Sequence, residues 1–216
     1  MDFSPANITG LVIAASFAAG LNIYVTVLTL GILARTHWVA LPAGLDSLGY
    51  TWVLVVCAIM FAVEFVADKI PGFDIFWNVL HTAVRVPIAA LVAYHASAQL
   101  SPQMQIIATG LGAAIALATH SSKTALRAVV TPSPEPVSNI ALSSTEDVVA
   151  VGLTWFATDH PVVAASIAVA SLVVAVLAAR ALLRAIQRPL RRLFGTPPVD
   201  ARVVSKPSAK SAETAR

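Results

Sequence analysis

"EFVADKIPGFDIFWNVLHTAVR", residues 64–85, places acidic, basic, histidine and asparagine side chains between two long apolar stretches. Four of these side chains recur at i, i+4, i+7 and i+11, a spacing that brings them to one face of a helix. They are Asp74, Asn78, His81 and Arg85. The residues between them are mostly apolar. The stretch therefore predicts an amphipathic helix that follows a proline-containing break and leads into an apolar segment.

The composition of the whole chain indicates a membrane protein. Of its 216 residues, 57% are hydrophobic and 12% charged, and the mean hydropathy is +0.80. Soluble domains carry about 25% charged residues. Residues 8–34 contain no charge, and about 20 apolar residues are enough to cross a bilayer. The sequence thus predicts an all-α, polytopic helical membrane protein whose first span is residues 8–34.

Six apolar segments are predicted as transmembrane helices, and two proline-broken polar segments lie between them as loops at 68–83 and 120–137. Three prolines at alternate positions predict an extended backbone over 131–139, because helix interiors exclude proline. The predicted spans are residues 8–34, 50–67, 84–98, 104–119, 138–158 and 161–187.

The basic residues are concentrated at the C-terminus. Residues 179–216 hold nine Lys and Arg but two Asp and Glu, which is typical of a cytoplasmic flank. The sequence predicts an integral membrane helical domain at 1–192 and a disordered basic cytoplasmic tail at 193–216, in a multi-pass protein of the bacterial inner membrane. With six spans, the N-terminus is cytoplasmic as well. The basic flank lacks interleaved aromatic residues, so nucleic acid is not an expected partner.

Two carboxylates share a helix face at the end of the second predicted span. Glu64 and Asp68 are four residues apart and repel each other unless a cation, a proton or a basic residue offsets their charge. The candidate basic residues are Lys69, Arg85, Lys123 and Arg127.

A second polar region begins with "HSSKTALR", residues 120–127. His120, Lys123 and Arg127 are spaced i, i+3 and i+7, on one helix face. If the neighbouring serines and His120 served a reaction, the cationic group could hold a lipid phosphate.

The fifth predicted span carries its own polar stripe. Asn139, Ser143 and Glu146 recur at i, i+4 and i+7, and Asp147 is adjacent. An ionised carboxylate at the centre of a span costs about 2.5 to 3.5 kcal/mol unless it is paired. The sequence therefore predicts partners for both acids.

The two polar regions suggest a parallel internal repeat. A shift of 61 residues aligns polar positions of the two regions, each after a proline-containing break and before an apolar run. The aligned pairs are Asp74 with Glu135, Asn78 with Asn139, and Arg85 with Glu146.

The first predicted span contributes a polar face of its own. Asn22, Thr26 and Thr29 are spaced i, i+4 and i+7, and Gly20 permits a close helix approach. Either the hydroxyls bond their own backbone within a packing face, or this face joins a polar site.

Ionisable groups inside a membrane are functional by default, which favours a small-solute or ion transporter or channel-like protein with a polar intramembrane centre. Three other functions stay open: an intramembrane enzyme, a protein that binds a phosphate-bearing lipid headgroup, and a scaffold or assembly subunit whose charges satisfy one another. The histidines and acids lack compact metal-ligand spacing, and neither a metal nor a cofactor is expected. An enzyme is the less favoured class, and the catalytic residues stay unassigned.

The expected partners are the lipid bilayer and an unknown solute, ion or headgroup; a homo-oligomer stays open. The candidate binding residues are Asn22, Glu64, Asp68, Asp74, Asn78, His81, Arg85, His120, Lys123, Arg127, Glu135, Asn139, Glu146 and Asp147.

Several ordered motifs resemble those of a family of small integral membrane proteins catalogued as a domain of unknown function, family 4126. The motifs are "AAGLN" at 18–22, "EFVADKIPGFD" at 64–74, "HTAVR" at 81–85, "TPSPEPVSN" at 131–139 and "EDVVAVGL" at 146–153. The resemblance covers about residues 10–160 and implies a multi-span membrane protein without assigning an activity. One departure is Val86 before Pro87, where the family pattern leads us to expect Arg followed directly by Pro.

Overall fold

The computed structural model describes residues 3–67, 70, 73–130 and 136–194; at 73–76, 78–79, 128–130, 136–139 and 186–194 it describes the backbone alone. The described chain is all-α, which confirms the predicted fold class. Its helices are α1 (Pro5–Leu21), α2 (Ile23–Thr36), a 3₁₀ helix (Ala43–Gly49), α3 (Thr51–Ala67), α4 (Phe73–Ala96), α5 (Pro102–Val130), α6 (Pro136–Asp159) and α7 (Pro161–Phe194).

The first predicted span is not one helix, because the chain breaks at Asn22. This residue has an extended backbone, with φ −149° and ψ 107°. Its side-chain Oδ1 accepts a hydrogen bond from the backbone N–H of Val25 at 3.1 Å, so Asn22 is the N-cap of α2. The prediction of a continuous span over 8–34 is therefore wrong. The reason is that an asparagine side chain can replace a helical hydrogen bond with a local one.

The polar segments are more helical than predicted. The predicted loop at 68–83 is helical from Phe73, and the predicted loop at 120–137 is helical up to Val130 and again from Pro136. Extended backbone was therefore the wrong prediction for 136–139, while 131–135 lie outside the described residues. Proline fits the first turn of a helix, where its missing N–H is not needed, and α5, α6 and α7 each begin at one. The helix predicted before the third span is confirmed, because α4 runs without interruption from Phe73 to Ala96; the side chains of Asp74 and Asn78 on its predicted polar face are not described.

Three described helices are long and apolar enough to cross a membrane: Pro102–Arg127, Ile140–Asp159 and Pro161–Ala185. The 3₁₀ helix and α3 make a fourth if the two, bent by 67°, form one span. This number is below the six predicted. One reason is that α1 and α2 are two short apolar helices, and another is that the count covers the described residues alone, which leaves out several side chains in the first half of α4.

The helix α1 lies at the centre of the bundle. Eleven of its 17 residues are buried, and it packs against α4, α5 and α6. Small residues allow the close approach: a methyl group added to Gly20 would lie 2.5 Å from Cβ of Thr119 on α5. The packing therefore places the break after α1 inside the protein, between the helices that carry the polar residues.

The contacts divide the chain into two units, Met1–Leu182 and Leu183–Arg216. The first contains all helices up to the greater part of α7. In the second, the structure describes residues 183–194, which are helical. Most of the predicted disordered tail, from residue 195 onward, lies outside the described residues.

Candidate functional site

The break at Asn22 leaves backbone carbonyls at the end of α1 without partners inside the helix, as at every helix C-terminus. Cationic side chains from two other helices bind them. Nη1 of Arg85 donates to the carbonyls of Gly20 at 3.2 Å and of Leu21 at 2.9 Å. Nζ of Lys123 donates to the Leu21 carbonyl at 2.8 Å. Cations are favoured at this end of a helix, where the helix dipole is negative.

A carboxylate lies on the other side of the break, near the N-terminus of α2. The amide Nδ2 of Asn22 donates to Oδ1 of Asp147 at 2.9 Å. Negative charge is favoured near the positive end of a helix dipole. The single residue Asn22 thus ends α1, caps α2 and binds α6.

Ion pairs connect four helices beside this break. Nη2 of Arg85 pairs with Oε1 of Glu64, and Nη2 of Arg127 pairs with Oε2 of Glu146. Lys123 lies between the two pairs, with Nζ 3.2 Å from Oε2 of Glu146 and 3.9 Å from Oε1 of Glu64. The result is a row of alternating positive and negative side chains. We define the charged cluster as Glu64, Arg85, Lys123, Arg127, Glu146 and Asp147.

Every member of the charged cluster is buried, with at most 9% of the residue exposed. The six described side chains are three cations and three carboxylates, so their formal charges cancel. Such balance is the condition for keeping charges in a low-dielectric interior. The carboxylate oxygens of the cluster are nevertheless not all bound to a partner, because Oε2 of Glu64 has no hydrogen-bond partner among the described residues.

Two buried hydroxyls lie next to the charged cluster in sequence. Thr119 is one helical turn before Lys123 on α5, and Ser143 is one turn before Asp147 on α6. Neither hydroxyl oxygen has a hydrogen-bond partner within the part of the chain that the structure describes. A buried hydroxyl without a partner is costly, so both are candidate contacts for a solute or water in this region.

The two histidines of the predicted site have different surroundings. Nε2 of His120 is hydrogen-bonded to Oγ1 of Thr82 at 2.9 Å, which joins α5 to α4. Nδ1 of His81 lies 3.1 Å from the carbonyl of Trp77, and its ring packs on that indole and on the edge of Tyr24. His81 is therefore part of an aromatic group next to the break.

Ser122 and His120, two of the residues considered for a reaction, are bound to other groups. Oγ of Ser122 donates to the carbonyl of Ala118, and His120 is bound to Thr82, so no Ser–His pair is formed between these two residues. Among the described residues, no three His, Cys, Asp or Glu side chains are grouped to hold a metal ion.

The structure brings together half of the residues predicted as binding candidates. These are Asn22, Glu64, Arg85, Lys123, Arg127, Glu146 and Asp147. The side chains of Asp74, Asn78 and Asn139 are not described, and Asp68 and Glu135 lie outside the described residues.

The sequence reasoning missed the helix break and the residues that adjoin it. Thr82, Thr119 and Tyr24 are ordinary helix residues by sequence, so no local signal identified them. The break itself had a signal, because glycine near a helix end followed by asparagine is typical of a C-terminus and an N-cap. In this chain they are Gly20 and Asn22.

An apolar cavity of about 400 Å³ lies between α2, the 3₁₀ helix, α3 and α4. Ile23 and Tyr24, which directly follow the break, form part of its wall, as do Val92 and His95 of α4. The buried free thiol of Cys57 lines it too. The cavity therefore reaches the residues next to the helix break.

Comparison with known proteins places the chain in a family. The model of the family described as "Domain of unknown function (DUF4126)" matches residues 9–181, which include all of the charged cluster. No curated protein and no solved structure matches the chain. Since the match covers most of the sequence, the chain belongs to the DUF4126 family.

Proposed function

We propose that the protein is a small-solute or ion transporter, or a channel-like protein, and that the charged cluster is its polar intramembrane centre. The observation that carries the proposal is the row of buried ion pairs bound to the carbonyls of an interrupted helix. The membrane is the bacterial inner membrane, and the C-terminus is cytoplasmic, as the basic flank of α7 indicates.

Interrupted helices support this function for a physical reason. Inside a continuous helix the backbone groups are bound to one another, whereas at a break they can exchange partners. Transporters use such breaks near the middle of the membrane to hold substrates and coupling ions. Here the Leu21 carbonyl accepts from both Arg85 and Lys123, and a solute that displaced one cation would leave the other bound.

Lys123 gives the centre a way to change its ion pairs. Its Nζ is 3.2 Å from Glu146 on α6 and 3.9 Å from Glu64 on α3. A shift of less than 1 Å toward Glu64 would make the two distances equal. The ion pairs between helices can thus be rearranged without unpairing either arginine.

The scaffold alternative is favoured by the balance of charges, since a network that satisfies itself can fix helix positions without binding anything. A lipid-phosphate site is less well supported. Lys123 and Arg127, the residues suited to a phosphate, both pair with Glu146, and a phosphate would have to compete with that carboxylate.

Cysteine labelling tests whether the centre is reached by water. In a Cys57→Ala background, we would introduce Thr119→Cys and Ser143→Cys singly and apply a membrane-impermeant maleimide from each side. Both positions have buried hydroxyls next to the charged cluster. The matched control is Ser16→Cys, a buried serine in contact distance of Gly112 on the α1–α5 packing face.

A transporter predicts labelling at position 119 or 143 and protection at position 16. The side from which labelling occurs gives the side to which the centre opens. Protection of both test positions, in protein shown to be folded, would contradict the proposal and favour the scaffold.

A further inference from the structure

The two glutamates in the row of ion pairs are unequally compensated. Oε2 of Glu146 accepts a hydrogen bond from Arg127 and forms an ion pair with Lys123 as well. Oε1 of Glu64 pairs with Arg85, but Lys123 is 3.9 Å away, and Oε2 has no hydrogen-bond partner among the described residues. Glu64 is also completely buried, whereas the side chain of Glu146 is 11% exposed. One oxygen of the Glu64 carboxylate is therefore buried and has no donor among the described residues.

The occupant that best fits this oxygen is a proton. A hard metal cation requires several oxygen ligands, and no group of three acidic, histidine or cysteine side chains is present among the described residues. A proton needs one lone pair only.

We propose that Glu64 is the residue of the centre that takes up and releases a proton. The inference rests on the proposed transport function and specifies its coupling ion. The proton binds Oε2 to form the neutral carboxylic acid, and no other bond is made or broken. The formal charge of the cluster rises by one.

Protonation changes the partner of Lys123 and not that of Arg85. The guanidinium of Arg85 stays bound to the carbonyls of Gly20 and Leu21. Lys123 loses the attraction of Glu64 and keeps its ion pair with Glu146, which strengthens the contact between α5 and α6. Protonation on α3 is thus transmitted to α6 through one lysine.

The described charged and titratable groups around Glu64 come from α2, α4 and α5, while Asp68, four residues further along the chain, lies outside the described residues. Arg85 faces it from α4 and Lys123 from α5, and Tyr24 of α2 lies within electrostatic range. On α3 itself, Cys57 is about two turns away. The 3₁₀ helix holds Asp46, but it precedes the start of α3, about 20 Å along the helix from Glu64.

Infrared spectroscopy of the full protein in lipid tests this inference without a known substrate. A buried protonated carboxyl gives a C=O stretching band that is separate from the carboxylate bands and shifts in D₂O. On acid titration, the wild type should show this band, Glu64→Gln should lose it, and Glu146→Gln should keep it. Glu146→Gln is the matched control, because it removes a carboxylate of the same row.

Persistence of the band in folded Glu64→Gln would overturn the inference, as would its absence in wild type across the pH range in which the protein stays folded. If Glu64→Gln does not fold by circular dichroism, Glu64→Asp serves instead. The band should then shift in frequency, and an unshifted band would contradict the assignment.

The outcome is distinguishable from failure of the proposed function. A Glu64 band in protein whose positions 119 and 143 are protected from maleimide would leave the proton site in place and reject the water-accessible centre. Labelling without the band would support the centre and reject Glu64 as its proton-binding residue.

Discussion

Two pairs of consecutive helices carry the same kind of ion pair in opposite order. We call α3–α4 the first hairpin and α5–α6 the second hairpin. In α3–α4 the acid comes first, Glu64, and the base 21 residues later, Arg85. In α5–α6 the base comes first, Arg127, and the acid 19 residues later, Glu146. Both pairs are buried, and both lie beside the break in the central helix.

Their surroundings differ, and the difference separates two roles. The α3–α4 pair is wholly buried, and its arginine also binds the Gly20 and Leu21 carbonyls. The α5–α6 pair is supported by Lys123 and is slightly exposed. We infer that the second pair is the more tolerant one, because its carboxylate has a second cation at short distance. The following predictions test that difference, from the largest expected effect to the smallest.

Removal of the arginine should cost more in the first hairpin than in the second. Arg85→Met leaves Glu64 with a lysine 3.9 Å away, and an uncompensated buried charge costs about 3 to 5 kcal/mol. Arg127→Met leaves Glu146 with Lys123 at 3.2 Å and should cost about half as much. The free energy of unfolding in mixed micelles measures both. Exposed Arg180→Met is the control, and equal losses in the two test variants would remove the distinction.

The close approach of α1 to α5 should be the next most sensitive feature. In Gly20→Ala, the new methyl group would lie 2.5 Å from Cβ of Thr119 and 2.8 Å from the carbonyl of Ala116. Overpacking of this kind costs about 1 to 3 kcal/mol. Gly110→Ala is the matched control on α5, because nothing lies within 4 Å of that position. We expect a lower unfolding free energy for the first variant and an unchanged or higher one for the second; the reverse order would contradict the packing.

Asn22 should stabilise the helix break through two separate hydrogen bonds, one that caps α2 and one to Asp147. Asn22→Ala removes the cap on the Val25 N–H and the hydrogen bond to Asp147, and loss of an N-cap costs about 1 kcal/mol. Asn22→Ser keeps a capping oxygen but has no amide to reach Asp147. The serine variant should therefore lie between wild type and alanine in unfolding free energy. Equal values for serine and alanine would show that the cap contributes nothing.

The smallest effect should come from the hydrogen bond that joins the two hairpins. Thr82→Val removes the hydroxyl bound to His120 and keeps the shape of the side chain. Hydrogen bonds between membrane helices contribute about 0.6 kcal/mol on average, and we expect a loss of that size. Thr82→Ser retains the hydroxyl and should stay near wild type. A much larger loss would mean that His120 links the hairpins more strongly than one hydrogen bond allows.

The predicted internal repeat can be compared with the positions of the ion pairs in the two hairpins. The shift of 61 residues aligns Arg85 with Glu146, and both lie in the second helix of a hairpin and in the charged cluster. The other aligned pairs involve side chains that the structure does not describe. The repeat stays a prediction, and the one described pair matches in place while its charge is reversed.

Local patterns predicted much of the fold for reasons that are local themselves. Apolar composition indicated helices suited to a membrane. The segment around Pro136 was predicted as extended, but α6 begins at this residue, because proline is tolerated in a first turn. The i, i+3 and i+7 spacing on α5 grouped three side chains that are all buried, His120, Lys123 and Arg127. In the α4 stripe the side chains of His81 and Arg85 are described, and those of Asp74 and Asn78 are not. Segment ends were less well predicted, since a polar helix end and a loop have similar composition.

The site could be predicted as a list of residues but not as a geometry. The sequence alone determined that buried charges must find partners, and it supplied several basic and acidic residues that could pair with one another. Only the tertiary structure decided which partners meet, because Asn22 reaches Asp147 across 125 residues and Lys123 reaches Leu21 across 102. The break in the central helix is of the same kind: an asparagine in an apolar run is compatible with a continuous helix, and contacts from distant helices stabilise the interrupted one.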